Sequence, residues 1–196
     1  MKIIYKKNIA FTLIELLISM AIFIILFSVT IANFRSSKRG DDFKLQTFDI
    51  EDSIRAVQNM SLTGEQIDGT LPGNGYGINF NISNNSYTIY GDRSDNFFVG
   101  IFDEKDSINS TSVINNIMYI DDIFCYSVEK GDYISLSDLG ENLDILFYPP
   151  RASVVVNNNS DYTKCYIKLV DDDIPAFWTV TIDVATSRIW SNYVVN

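Results

Sequence analysis

Histidine is absent from all 196 residues. That gap removes Ser-His-Asp and Cys-His nucleophile systems and histidine-ligated zinc. Cysteine is nearly as scarce: Cys125 and Cys165 are separated by 39 residues, and no pair has the close spacing of a zinc or redox motif. No Walker-type lysine loop is present. Gly73-Asn74-Gly75-Tyr76-Gly77 leads into a strand pattern, so it cannot cradle phosphate at a helix N-terminus. Nor is there a Gly-x-Ser-x-Gly nucleophile elbow. Carboxylates are abundant, yet nothing marks a pair placed for glycoside hydrolysis. These absences point away from an enzyme, and no cofactor is expected.

Charge is also missing from one long stretch. From Leu16 to Phe34 no residue is charged, and Asn33 is the one strongly polar side chain. Nineteen residues at about 1.5 Å each span roughly 28 Å, close to the hydrocarbon thickness of a bilayer. Glu15 alone interrupts an apolar segment that would otherwise run from Ile9. A carboxylate inside a membrane span is costly and requires a partner or a purpose.

Ala10-Phe11-Thr12-Leu13-Ile14-Glu15-Leu16-Leu17-Ile18, preceded by Lys6-Lys7, resembles the cleavage and methylation signature of type IV pilins and type II secretion pseudopilins. The resemblance implies that a prepilin peptidase cuts between Ala10 and Phe11 and that Phe11 is then N-methylated. It implies that Glu15, fifth from the new terminus, faces the N-terminal amine of a neighbouring subunit. A carboxylate in hydrocarbon becomes tolerable once paired with such a cation. Leu13, Ile14, Leu16 and Leu17 would supply packing, and the implied partners are other subunits, the inner-membrane assembly platform and membrane lipid. Ala10 departs from the pattern, which usually has Gly there.

Two plainer readings compete. A secretory signal peptide could end at Thr30-Ile31-Ala32, but its apolar region is normally about 7–15 residues and would not hold Glu15. An ordinary signal anchor is the other. Charge does not decide topology, since Lys2, Lys6 and Lys7 precede the span while Arg35, Lys38 and Arg39 follow it. A cytoplasmic leader and an extracytoplasmic head follow from the resemblance, with later residence in a filament.

The remaining chain has room for one head domain. Thirteen Phe, eleven Tyr and two Trp favour a folded core. Net charge is −10; loss of residues 1–10 removes three lysines, leaving 12 basic against 25 acidic residues, or −13. A head this acidic repels nucleic acid and anionic lipid. The expected division is a leader (1–10), a membrane or filament-core helix (11–34), an amphipathic helix (35–63) and a β-rich head (64–196).

Phe43, Thr47, Ile50, Ile54 and Val57 recur at helical spacing and predict the core stripe of that second helix. Gly40-Asp41-Asp42 predicts a bend before it, and Thr63-Gly64 predicts its stop. The period then becomes two. Tyr76–Ile82, an Asn84-Asn85 turn and Tyr87–Tyr90 read as a hairpin. Asp103–Asn116 reads as a polar loop. Further predicted strands are Ile117–Tyr126, Leu143–Tyr148, Ser153–Val156, Tyr162–Val170, Trp178–Val184 and Arg188–Val195, after an apolar run at Asn96–Phe102. The fold class is α+β, a long N-terminal helix packed on an antiparallel β-rich head.

This ordering resembles the GspH/FimT-type minor pseudopilins. In an extracytoplasmic head a Cys125–Cys165 bridge is chemically allowed, and two buried thiols are the alternative. Some pseudopilin heads bind calcium, and Asp171, Asp172 and Asp173 are weak candidates, since adjacent residues in extended chain point opposite ways. Some FimT-like pilins contact DNA near the C-terminus, where only Lys164, Lys168 and Arg188 stand here among several acids, so nucleic acid binding is disfavoured. The reading is a structural subunit, minor in type, of a pilus or secretion pseudopilus. Its alternatives are a membrane-anchored extracytoplasmic binding module and a DNA-uptake minor pilin.

Overall fold

The structure is a computed structural model that describes residues 12–93, 101–103, 106–114, 118–140 and 142–195. The chain divides into two compact units, residues 1–41 and 42–196. Helix α1 (Leu13–Thr63) supplies the described part of the first and opens the second. No break in the helix occurs at Gly40, since α1 is continuous through it. One glycine costs a helix only about 1 kcal/mol relative to Ala, too little to break it unaided.

In the second unit, Phe43, Thr47, Ile50, Ile54 and Val57 are all buried, as the helical period requires. Each such apolar side chain contributes about 1.5–3 kcal/mol on leaving water. The helix ends where Gly64 adopts φ +68° and its N–H donates to the Met60 carbonyl at 2.9 Å. That left-handed closure is open to glycine without penalty.

Ten strands follow among the described residues, in two antiparallel sheets of five. The first sheet holds β1 (Gly75–Asn81), β2 (Ser86–Asp92), β3 (Ser107–Val113), β6 (Leu143–Tyr148) and β7 (Ser153–Val156), in the order β3-β2-β1-β6-β7. The second holds β4 (Tyr119–Ser127), β5 (Asp132–Ser135), β8 (Tyr162–Val170), β9 (Ala176–Asp183) and β10 (Arg188–Val195), in the order β10-β9-β8-β4-β5. A one-turn helix, α2 (Leu136–Leu139), follows β5. The fold is therefore α+β with a long N-terminal helix. The buried stripe of α1 belongs to one apolar cluster with Ile78, Ile145, Ile167 and Ile182 from the two sheets. Polar contacts reach both sheets: the Ser53 and Tyr87 hydroxyls lie 3.0 Å apart, and Gln58 Nε2 donates to the Ser187 carbonyl at 2.9 Å.

The fold departs from the sequence expectation at the polar stretches. Asp103–Asn116 is not all loop, since β3 pairs with β2 at the sheet edge. Its Ser- and Asn-rich residues face water on most positions, so no apolar alternation announces it. β5 and α2 were not expected either, being short and polar. Of the Asn96–Phe102 run, residues 96–100 lie outside the described residues, and Ile101 and Phe102 are not in a strand.

Two glycines explain the motif that opens β1. A Cβ on Gly77 would sit 2.3 Å from the Tyr90 ring, and one on Gly75, at φ +132°, would sit 2.5 Å from the Phe147 carbonyl oxygen. The glycine-rich run serves close packing between strands.

Candidate functional site

Thr12 begins α1. Its hydroxyl accepts from the Glu15 N–H at 3.3 Å and its carbonyl from the Leu16 N–H at 3.2 Å. Thr12-x-x-Glu15 is the pattern of a capping box, a signal present in the sequence and missed there. Glu15 consequently occupies the first helical turn, where the helix dipole favours negative charge.

Beyond Glu15 the polar side chains satisfy themselves. Ser19 donates to the Glu15 carbonyl at 2.7 Å, Ser28 to Ile24 at 2.8 Å and Thr30 to Leu26 at 2.8 Å. Hydroxyls bonded to the preceding turn can enter hydrocarbon at little cost. The Glu15 carboxylate has no such outlet along its own helix, and no described residue supplies it with a cation.

The apolar side chains around it are bare. Leu13 is 78 % exposed, and Ile14, Leu16 and Leu17 each remain more than half exposed. Leu13–Ile31 is long and apolar enough to cross a membrane, and none of it is buried within its own chain. An apolar surface this extensive marks an interaction with lipid or protein. Ala10 and Phe11, the expected cleavage and methylation positions, lie outside the described residues.

Comparison with known families matches the prokaryotic N-terminal methylation motif over residues 5–31. The chain carries a prepilin signature of the type IV pilin and pseudopilin kind. A motif of this kind implies processing by a prepilin peptidase and assembly with other pilins, and with the exposed helix it fits a membrane-anchored pilin. No curated protein and no solved structure matches the chain.

The head offers other chemistry for inspection. Cys125 and Cys165 face each other across β4 and β8, with Cα atoms 4.1 Å apart, and are joined as a disulfide. Asp171–Asp173 forms a turn: the Asp171 carboxylate accepts from the Asp173 N–H at 2.8 Å, and Asp172 accepts from the Tyr119 hydroxyl at 3.0 Å. Among the described residues no three metal-ligating side chains converge there or elsewhere.

Among the described residues Asp144 is the carboxylate moved furthest from its ordinary range. It is 5 % exposed and accepts from Asn79 Nδ2 at 2.9 Å, the Phe102 N–H at 3.2 Å and the Tyr90 hydroxyl at 3.3 Å. Burial pushes its pKa up to about 6, against the lowering effect of those donors. The adjoining cavity of about 320 Å³ is lined by Asn79, Ile101, Phe102, Asn142, Asp144 and Asn157, and Asp144 is the titratable group among these described residues. Lys164, Lys168 and Arg188 share the outward face of the second sheet, Lys164 and Arg188 flanking Asp183 while Lys168 stands four residues along β8 opposite Thr179.

Proposed function

We propose that this chain is a non-enzymatic structural subunit, minor in type, of a type IV pilus or type II secretion pseudopilus. It is made as a membrane prepilin, cut between Ala10 and Phe11, methylated at Phe11, and assembled by burying the Phe11–Phe34 segment against equivalent helices. The observation that carries this reading is the uncovered helix face from Leu13 to Ile31, continuous with the methylation motif and holding one carboxylate in its first turn. A neighbour's N-terminal ammonium would neutralise Glu15 inside the apolar bundle, which fixes the register of an incoming subunit. The disulfide supports an extracytoplasmic head, because such bonds persist in oxidising compartments.

Replacement of the carboxylate tests the assembly role. Glu15→Ala is expected to leave the protein in the membrane fraction at unchanged level while removing it from sheared filaments and from subunit cross-links. Incorporation of Glu15→Ala at the wild-type level would refute the pairing.

A further inference from the structure

The second sheet carries side chains that its core does not use. On its strands Ile123, Cys125, Cys165, Ile167, Val180 and Ile182 are buried inward. Alternation then places their neighbours outward, where an antiparallel sheet open to water normally carries polar residues. Here the outward positions include Phe124, Tyr126, Tyr133, Tyr166, Phe177 and Trp190. Tyr126, Tyr133 and Tyr166 form a row with ring centroids 5.2 and 5.3 Å apart. Next to it, Phe124, Tyr133, Tyr166, Lys168, Phe177 and Thr179 line a depression of about 390 Å³. Its volume is that of a small-molecule site, and its apolar walls are aromatic with no aliphatic side chain.

Each of the three basic residues on this face stands beside a carboxylate. Lys168 pairs with Asp121 at 2.6 Å, and Asp183 stands in register with both Lys164 and Arg188. Lys164 and Lys168 also lie over the Trp190 and Phe177 rings, at 5.7 and 5.1 Å from their centroids. Residues 42–196 hold nine basic and 23 acidic residues, so the wider field repels polyanions. The face suits a partner that is polar but uncharged, with flat apolar surfaces.

We propose that the outward face of the second sheet is a binding platform for an uncharged carbohydrate. The C–H face of a pyranose ring packs on the electron-rich face of an aromatic ring. Sugar hydroxyls need donors and acceptors together, which Lys168, Thr179 and the Tyr133 and Tyr166 hydroxyls provide at the same depression. This inference stands on the head alone and does not depend on the assembly reading.

The test uses the full chain in lipid nanodiscs, free of sugar-headed detergent. It is applied to an array of neutral gluco-, manno-, galacto- and N-acetylglucosamine oligosaccharides, then titrated by saturation-transfer NMR. Saturable binding to at least one series is expected. Tyr166→Ala and Phe177→Ala should each weaken it about tenfold, the loss of one stacked ring. Thr88→Ala, on the first sheet, should leave it unchanged. Thermal melting checks that the variants fold, and Phe177→Ser with Tyr166→Phe probes the same depression if Tyr166→Ala does not. Absence of saturable binding to every neutral series would overturn the proposal. So would preferential binding of single-stranded DNA or acidic glycans, or use of this face for self-association in sedimentation.

Discussion

The two portions of α1 share a backbone conformation and differ in what surrounds them. In residues 43–57 Phe43, Ile50, Ile54 and Val57 fall at helical spacing and vanish into the head core, while Leu45 and most of the charged residues stay on the exposed faces. In residues 13–31 apolar residues occupy every face and remain exposed within the chain. The contrast teaches that helix formation and burial are separate problems. An amphipathic stripe is covered by its own domain, whereas an all-round apolar helix must find lipid or other chains.

The sharpest break in this comparison is a matched pair of truncations. Ile54→Ala should destabilise the head by about 2–5 kcal/mol in thermal or denaturant unfolding, since it leaves a cavity in a closed core. Ile22→Ala, which removes the same atoms from the exposed portion, should leave head stability unchanged. Equal effects from the two would erase the distinction.

A second test concerns the staple between β4 and β8. Replacing Cys125 and Cys165 together with Ala should cost about 2–4 kcal/mol of head stability while membrane insertion persists, as judged by unfolding and fractionation.

A third uses pH. Burial holds the Asp144 pKa at about 6, above its ordinary value of 3.8, so the folded head binds more protons than the unfolded chain between those values. Its contribution is therefore greatest in acid and declines as pH rises from about 4 to about 6, by roughly 3 kcal/mol in all. Asp144→Asn should flatten that slope, measured as Tm against pH. An unaltered profile would mean the carboxylate is not desolvated as described. The smallest expected effect is at the cap: Thr12→Ala should weaken the first turn of α1 by about 1 kcal/mol, seen as faster amide exchange at Glu15 and Leu16.

Much of this was readable from residue patterns, for identifiable reasons. The stripe Phe43-Thr47-Ile50-Ile54-Val57 shows its period in burial, β7 and β8 alternate as their apolar side chains do, and β6 and β10 were marked by apolar and aromatic content between turn signals. β3 escaped because an edge strand held by backbone pairing needs no apolar face. Asn85 shows a different limit. Its side chain accepts from the Ile120 N–H at 3.0 Å and donates to the Met118 carbonyl at 2.8 Å, tying the first hairpin to a segment more than thirty residues on. Turn chemistry announces the turn, not what the turn will hold. The aromatic outer face of the second sheet was invisible for a related reason, since its rings are gathered from five strands by register.

The central claim is that the exposed apolar helix belongs to a processed pilin-type subunit. Intact mass and N-terminal sequence of the protein recovered from its native membrane test it most directly. The account predicts a chain beginning at N-methylated Phe11. A chain still beginning at Met1 would contradict it and leave the motif at Ala10–Glu15 as part of an uncut membrane anchor.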